Sequence, residues 1–157
     1  MRSATLLTLV AALMLALTAG VAVAKVIDGT KGNDKLVGTS RADTLNGFAG
    51  NDKLYGKGGN DTLKGYIGDD PVLRGAAGDD TILGGIGSDR SFGDAGDDTI
   101  RTVGDTQVDF VNCGADVDFA EVSGNDVVDG TAASALTTTT LTSCEQITVD
   151  GIPVPNL

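Results

Sequence analysis

Between Gly29 and Arg101 an apolar side chain recurs two places after an aspartate, again and again, at a spacing of nine residues. Leu36, Leu45, Leu54, Leu63, Ile82 and Ile100 hold this phase. Read in frame, the stretch is eight head-to-tail units: GTKGNDKLV, GTSRADTLN, GFAGNDKLY, GKGGNDTLK, GYIGDDPVLR, GAAGDDTIL, GGIGSDRSF and GDAGDDTIR. The pattern predicts one short strand per unit at positions seven to nine. Its eighth residue points inward, because neighbours on a pleated strand point to the opposite face. Positions one to six are then the turn. A flexible Gly/Asp-rich linker would have no reason to keep the apolar residues in register.

The turn has its own chemistry. The fourth position is glycine at Gly32, Gly50, Gly59, Gly68, Gly78, Gly87 and Gly96, with Arg41 the exception. Glycine serves where the backbone turns with positive φ or brings a carbonyl close to an ion. The sixth position is aspartate in all eight units: Asp34, Asp43, Asp52, Asp61, Asp70, Asp80, Asp89 and Asp98. The short aspartate stem keeps each carboxylate near the turn. Oxygen ligands without His or Cys select calcium over zinc or copper. Magnesium fits less well, since it demands tight octahedral geometry and holds its water.

These units resemble G-G-x-G-x-D-x-U-x, the nonapeptide of the RTX, or hemolysin-type, calcium-binding family. The resemblance covers about half the chain after residue 24. It implies an all-β fold, a parallel β-roll in which two units make one 18-residue turn of a right-handed coil. It also implies calcium between like-sided turns, held by aspartate carboxylates and turn carbonyls. One edge would then use Asp34, Asp52, Asp70 and Asp89, and the other Asp43, Asp61, Asp80 and Asp98. Like-sided carboxylates stacked at the strand spacing repel one another, and one apolar side chain per unit makes a thin core. A dication neutralises the edge and cross-links the turns.

Departures from the pattern mark weak points. Arg41 replaces a turn glycine, so the second turn is expected to be a weakened site at the end of the array, and Asp43 a less secure ligand. The fifth unit has ten residues, which also weakens the assignment of Asp70. Pro71 lacks a ladder donor, and either Val72 or Leu73 must point inward, with a bulge expected there. Ser91 takes an inward position, so its strand is expected to shift register or expose the hydroxyl. Asn60-Asp61-Thr62 matches a glycosylation sequon, but it lies inside a calcium turn. Phe48, Tyr55 and Tyr66 are expected to flank strands and turns.

From Thr102 the phase is lost. Thr106–Val111, Phe119–Val122 and Gln146–Val149 read as strands. Gly124–Val128 looks like a fragment of one more repeat, with Asp126 in the ligand position but no stacked neighbour. The stretch 131–143 reads as an exposed loop, and 151–157 as a frayed end. Residues 25–101 are thus expected to form the roll and 102–157 a small β-rich cap. Cys113 and Cys144 are the only cysteines, and an even pair in an exported chain favours a disulfide. Closing a loop of that length adds about 3 kcal/mol. The segments around them resemble the cysteine-containing caps that follow short RTX arrays, and a cap covers an otherwise open edge.

The first 24 residues carry one charge, Arg2, followed by the apolar run 4–20 and the small-x-small site Ala22-Val23-Ala24. This reads as a secretory signal peptide cleaved after Ala24, with an uncleaved membrane anchor as the alternative. The remaining 133 residues hold 10 basic and 22 acidic side chains. That balance disfavours nucleic acid and anionic membrane surfaces as partners and suits a cation. No His occurs anywhere, which removes the common nucleophile-activating triads and His-ligated zinc. No nucleotide-binding loop appears, and no segment outside the array is large enough for a catalytic cleft. The expected function is a secreted, monomeric, non-enzymatic calcium-binding protein. A calcium-dependent adhesion module is the alternative, although the seventh and ninth positions (Lys35, Thr44, Lys53, Thr62, Thr81, Arg90, Thr99) look mixed.

Overall fold

The computed structural model describes residues 24–129, 131–132, 144 and 146–154. Residues 1–23, which carry most of the segment read above as a signal peptide, and most of the stretch 131–143 lie outside the described residues. In chain order the strands are β1 (Lys25–Asp28), β2 (Lys35–Val37), β3 (Asp43–Ala49), β4 (Lys53–Tyr55) and β5 (Thr62–Ile67). They continue with β6 (Val72–Ala77), β7 (Thr81–Ile86), β8 (Arg90–Ala95), β9 (Thr99–Thr102) and β10 (Phe110–Ala115). The last are β11 (Phe119–Val122), β12 (Val127–Val128), β13 (Thr131–Ala132), β14 (Gln146–Val149) and β15 (Ile152–Pro153). No helix among the described residues is long and apolar enough to cross a membrane.

Successive strands alternate between two sheets. One runs β1-β3-β5-β7-β9-β11-β14-β15, and the other β13-β12-β10-β8-β6-β4-β2. All pairings are parallel except the last in each sheet, β12 with β13 and β14 with β15. This is a parallel β-roll closed at its C-terminal end by short antiparallel returns. Two units therefore make one coil, and residue i stacks on residue i+18, as Leu45 does on Leu63.

The core is two facing ladders. Leu45, Leu63, Ile82, Ile100, Ala120 and Ile147 line one sheet, in register from strand to strand. Leu36, Leu54, Leu73, Ser91, Val111 and Val128 line the other. The apolar members are all buried. β2 and β4 have the three residues expected, but β3, β5, β6, β7 and β8 run on into positions one to three of the following unit. The first-position glycine that they pass through lies inward without a Cβ.

The irregular units resolve without disturbing the stack. Leu73 points inward and Val72 does not. The extra residue is taken up at Pro71, ahead of the strand, and β6 pairs in register with both neighbours. Ser91 neither shifts register nor becomes exposed. It sits fully buried between Leu73 and Val111, and its Oγ has no hydrogen-bond partner.

The coil does not end at Arg101. Only residues 103–109 leave the ladder, and then β10 stacks on β8 and β11 on β9. Thr106–Asp109 are not strand, contrary to the pattern reading, whereas Phe119–Val122 and Gln146–Val149 are. Ile152–Pro153 forms β15 where a frayed end was expected. Cys113 of β10 and Cys144 form a disulfide, which pins the chain ahead of β14 to the last coils.

The seventh positions, mixed in sequence, are sorted by the fold. Thr44, Thr62, Thr81 and Thr99 stand in one row on one sheet. Lys35, Lys53 and Arg90 lie on the other. Phe48 and Tyr66, both exposed, stack on one edge with ring centroids 5.5 Å apart.

A buried hydroxyl without a partner costs about 1–3 kcal/mol. Ser91→Val, which copies the Val111 one coil later, is therefore expected to stabilise the calcium-loaded protein by about 1–2 kcal/mol. A shift of the urea midpoint to higher concentration at constant slope checks this.

Candidate metal centre

The sixth-position aspartates form two columns, one along each edge of the roll. In the first, the N–H of Asp34 donates to Oδ1 of Asp52 at 2.7 Å, and Asp52 to Asp70 at 2.7 Å. Asp70 donates to Asp89 at 2.9 Å, Asp89 to Asp109 at 2.8 Å, and Asp109 to Asp126 at 3.1 Å. The second column runs from Lys25 N–H to Asp43, then Asp61, Asp80, Asp98 and Asp118, at 2.7–3.0 Å. Each carboxylate thus staples its coil to the one before by a charge-assisted bond. The fifth positions staple in the opposite sense. Asn33 accepts from Asn51 N–H at 2.8 Å, Asp69 from Ser88 N–H at 2.9 Å, and Asp79 from Asp97 N–H at 3.1 Å.

The second carboxylate oxygen is the site's distinguishing feature. Oδ2 of Asp52, Asp61, Asp70, Asp80, Asp89, Asp98 and Asp109 is buried and accepts no hydrogen bond. Each array Oδ2 occupies the space that a Cβ would fill on the first-position glycine of its own unit. A Cβ on Gly47 would lie 2.5 Å from Asp52 Oδ2 and 2.9 Å from the carbonyl oxygen of Gly65, one coil on. On Gly65 the same atom would lie 2.1 Å from Asp70 Oδ2 and 2.4 Å from the Gly84 carbonyl. Glycine here makes room for two inward oxygens, neither carrying a proton to share. Acceptor-only oxygens crowded in a buried place are what a hard cation satisfies. No group of three or more His, Cys, Asp or Glu side chains among the described residues is close enough to hold a metal.

The fourth-position glycines shape those turns. Gly50, Gly59, Gly68, Gly78, Gly87 and Gly96 have φ between 88° and 134°. They also stack closely, since a Cβ on Gly68 would fall 2.0 Å from the Gly50 carbonyl oxygen. Sequence reading missed a second constraint. Phe48, Lys57, Tyr66, Ala76 and Asp94, all at position two, share this left-handed region with φ of 75–89°. The second glycine of the nonapeptide pattern was the available signal, and only Gly85 retains it.

The first coil is built differently. Neither Gly32 nor Arg41 has positive φ. Thr30 donates through N–H and Oγ1 to Asp34 Oδ2 at 2.6 and 2.9 Å, and Thr39 does the same to Asp43 Oδ2 at 2.6 and 2.8 Å. At the far end, Asp126 is stacked on Asp109, contrary to the expectation of a solitary fragment. Its Oδ2 accepts from Thr102 Oγ1 at 3.0 Å and Ser123 N–H at 2.7 Å. The spacing of the repeats does not single out Asp109 and Asp118. The surviving signal is an aspartate two places before an inward apolar residue, at Asp109-Phe110-Val111 and Asp118-Phe119-Ala120.

Burial raises the carboxylate pKa values along the columns. Desolvation, reinforced by neighbouring aspartates, lifts Asp70 and Asp98 to about 7, Asp80 and Asp89 to about 6, and Asp109 to about 8. Asp52 and Asp61 are raised for the same reason. Burial also pushes Asp43 upward, but hydrogen bonds from Thr39 and Lys25 outweigh it and leave that group lowered.

The family comparison agrees with this geometry. Residues 28–63 and 65–100 match the RTX calcium-binding nonapeptide repeat, in four copies. Through this region the chain belongs to the RTX calcium-binding repeat family. No curated protein and no solved structure matches the chain. The RTX region is a calcium-binding β-roll, and the family points to an extracellular, secreted protein.

A raised acid pKa means that the folded, metal-free RTX roll holds more protons than the unfolded chain between about pH 4 and pH 8. Stability of the metal-free roll therefore falls as pH rises through that window. Calcium must displace those protons, so its affinity rises over the same range. Calorimetry is expected to show affinity at least tenfold weaker at pH 5.5 than at pH 7.5, with net proton release on binding.

Proposed function

We propose that the protein is exported and folds into its final compact form on meeting extracellular calcium. In this reading Asp52, Asp61, Asp70, Asp80, Asp89 and Asp98 hold the ions, with turn carbonyls around Gly50, Gly59, Gly68, Gly78, Gly87 and Gly96. The observation that carries it is the file of buried Oδ2 atoms that accept no hydrogen bond. Bound calcium neutralises these carboxylates and links successive coils. The chain's own residues place the oxygens: first-position glycines give them room, and fifth-position side chains fix the spacing of the turns. At roughly 10⁻⁴–10⁻³ M affinity, sites of this kind are empty in the cytosol and filled outside. At ten times the dissociation constant each filled site adds about 1.4 kcal/mol. Far-UV circular dichroism in excess EGTA is expected to show loss of the β-roll, restored by millimolar calcium. A compact, protease-resistant chain in EGTA overturns the reading.

Export is assigned to the N-terminal segment, cleaved after Ala24. The residues in support are Arg2, the uncharged run that follows it, and Ala22-Val23-Ala24. N-terminal sequencing of the secreted product is expected to begin at Lys25, and retention of residues 1–24 would favour a membrane anchor.

A second reading, a calcium-dependent surface-binding module, is favoured by the in-register row Thr44, Thr62, Thr81 and Thr99. Threonine-to-lysine changes in that row would abolish surface binding in this reading and leave calcium binding intact.

A further inference from the structure

The calcium-binding stretch is out of step with the repeat array. We infer that it starts one coil inside the array and runs past its end to Asp109, a calcium ligand outside any nonapeptide, with threonine-donated hydrogen bonds closing the ends. The inference rests on the calcium reading above and concerns which carboxylates take part.

Asp109 lies beyond the matched repeats, which end at residue 100; Gly104 precedes it by five residues, but the ladder place held elsewhere by the first-position glycine is taken by Thr102, the last residue of β9. The eleven residues from Thr102 to Asn112 replace the usual nine, so sequence spacing conceals it. In space it continues the column of Asp52, Asp70 and Asp89 without a break, accepting the Asp89 N–H at 2.8 Å. It is fully buried, and its Oδ2 has no hydrogen-bond partner. Those are the two properties that mark the array carboxylates. Asp105, on the loop of the same unit, accepts the Gly87 N–H at 2.7 Å.

At the opposite end Asp34 and Asp43 match the nonapeptide but differ in hydrogen bonding. Two donors converge on Oδ2 of each, the N–H and hydroxyl of Thr30 or Thr39. Their hydrogens present positive charge where a cation would have to approach, and they already compensate the carboxylate oxygen. Asp126 closes the first column in the same way, with the Thr102 hydroxyl and the Ser123 N–H on its Oδ2. A threonine hydroxyl thus stands at each place where the file of bare oxygens stops in that column. End coils satisfied by protein donors hold their shape without metal and give the calcium-dependent coils a surface on which to stack.

The test is a calcium count by native mass spectrometry on the full chain, for wild type, Asp109→Asn, Asp70→Asn and the double variant Asp34→Asn with Asp43→Asn. Asparagine keeps an Oδ1 acceptor for the N–H of the preceding coil. Asp109→Asn is expected to lose one ion, with the Asp89 amide still protected from hydrogen exchange, which shows that the coil remains folded. Asp70→Asn, inside the array, is expected to lose at least one. The double variant is expected to keep the wild-type count while losing thermal stability in the calcium-loaded state. A wild-type count for Asp109→Asn beside a reduced count for Asp70→Asn overturns the extension and leaves the array sites standing. Loss of ions from the double variant overturns the threonine stop. A full count for Asp70→Asn removes the calcium-ligand reading, and this inference with it.

Discussion

The structure depends on a carboxylate turned inward. From Asp52 to Asp98 each column aspartate spends one oxygen on the backbone N–H of the preceding coil and holds the other against the bare Cα of a glycine. The first bond ties coil to coil. The second oxygen is buried and accepts no hydrogen bond, and that cost recurs at each of these coils. The metal, the glycines and the pH response all answer to this one arrangement. In the proposed reading calcium supplies the missing positive charge, glycine the space, and protons are what the oxygens take when calcium is absent.

A roll of this kind has little else to hold it. Its core is a single row of aliphatic side chains on each sheet, and one place in those rows is a serine. Side-chain staples at positions five and six carry much of the contact between coils, running in opposite directions along the stack. Ends are the weak points of such a stack. The C-terminal end turns back on itself through β13 and β15, and the Cys113–Cys144 disulfide secures it. At the N-terminal coil, where the described residues include no antiparallel cover, Thr30 and Thr39 satisfy Asp34 and Asp43 from within.

The irregular units show how such a stack tolerates change. Pro71 and the long loop before Asp109 add residues, yet the ladders on either side keep register. Insertions fall ahead of the aspartate or just after it, on the outside of the turn. The inward sequence of aspartate and apolar residue is preserved, because those two side chains lock the coil above and below. Arg41 is tolerated for a different reason: its turn does not use the left-handed conformation that the fourth positions from Gly50 onward adopt.

The chain's local grammar is legible in its residues alone. The nine-residue period, the inward leucines and isoleucines, the turn glycines and the oxygen-only chemistry are all set by residue type and backbone preference within one unit. The cysteine pair is legible from number and context. What lies beyond the sequence depends on residues 18 to 20 apart, which meet only when the coil closes. Whether an aspartate oxygen is bare, as in Asp70, or covered, as in Asp34, depends on a donor whose position is decided by the path of the turn. The alignment of Thr44, Thr62, Thr81 and Thr99, and the return of Asp109 to its column after an eleven-residue unit, are likewise decided by stacking. A parallel ladder ties residues to their spatial neighbours and is indifferent to the length of chain that loops out between them.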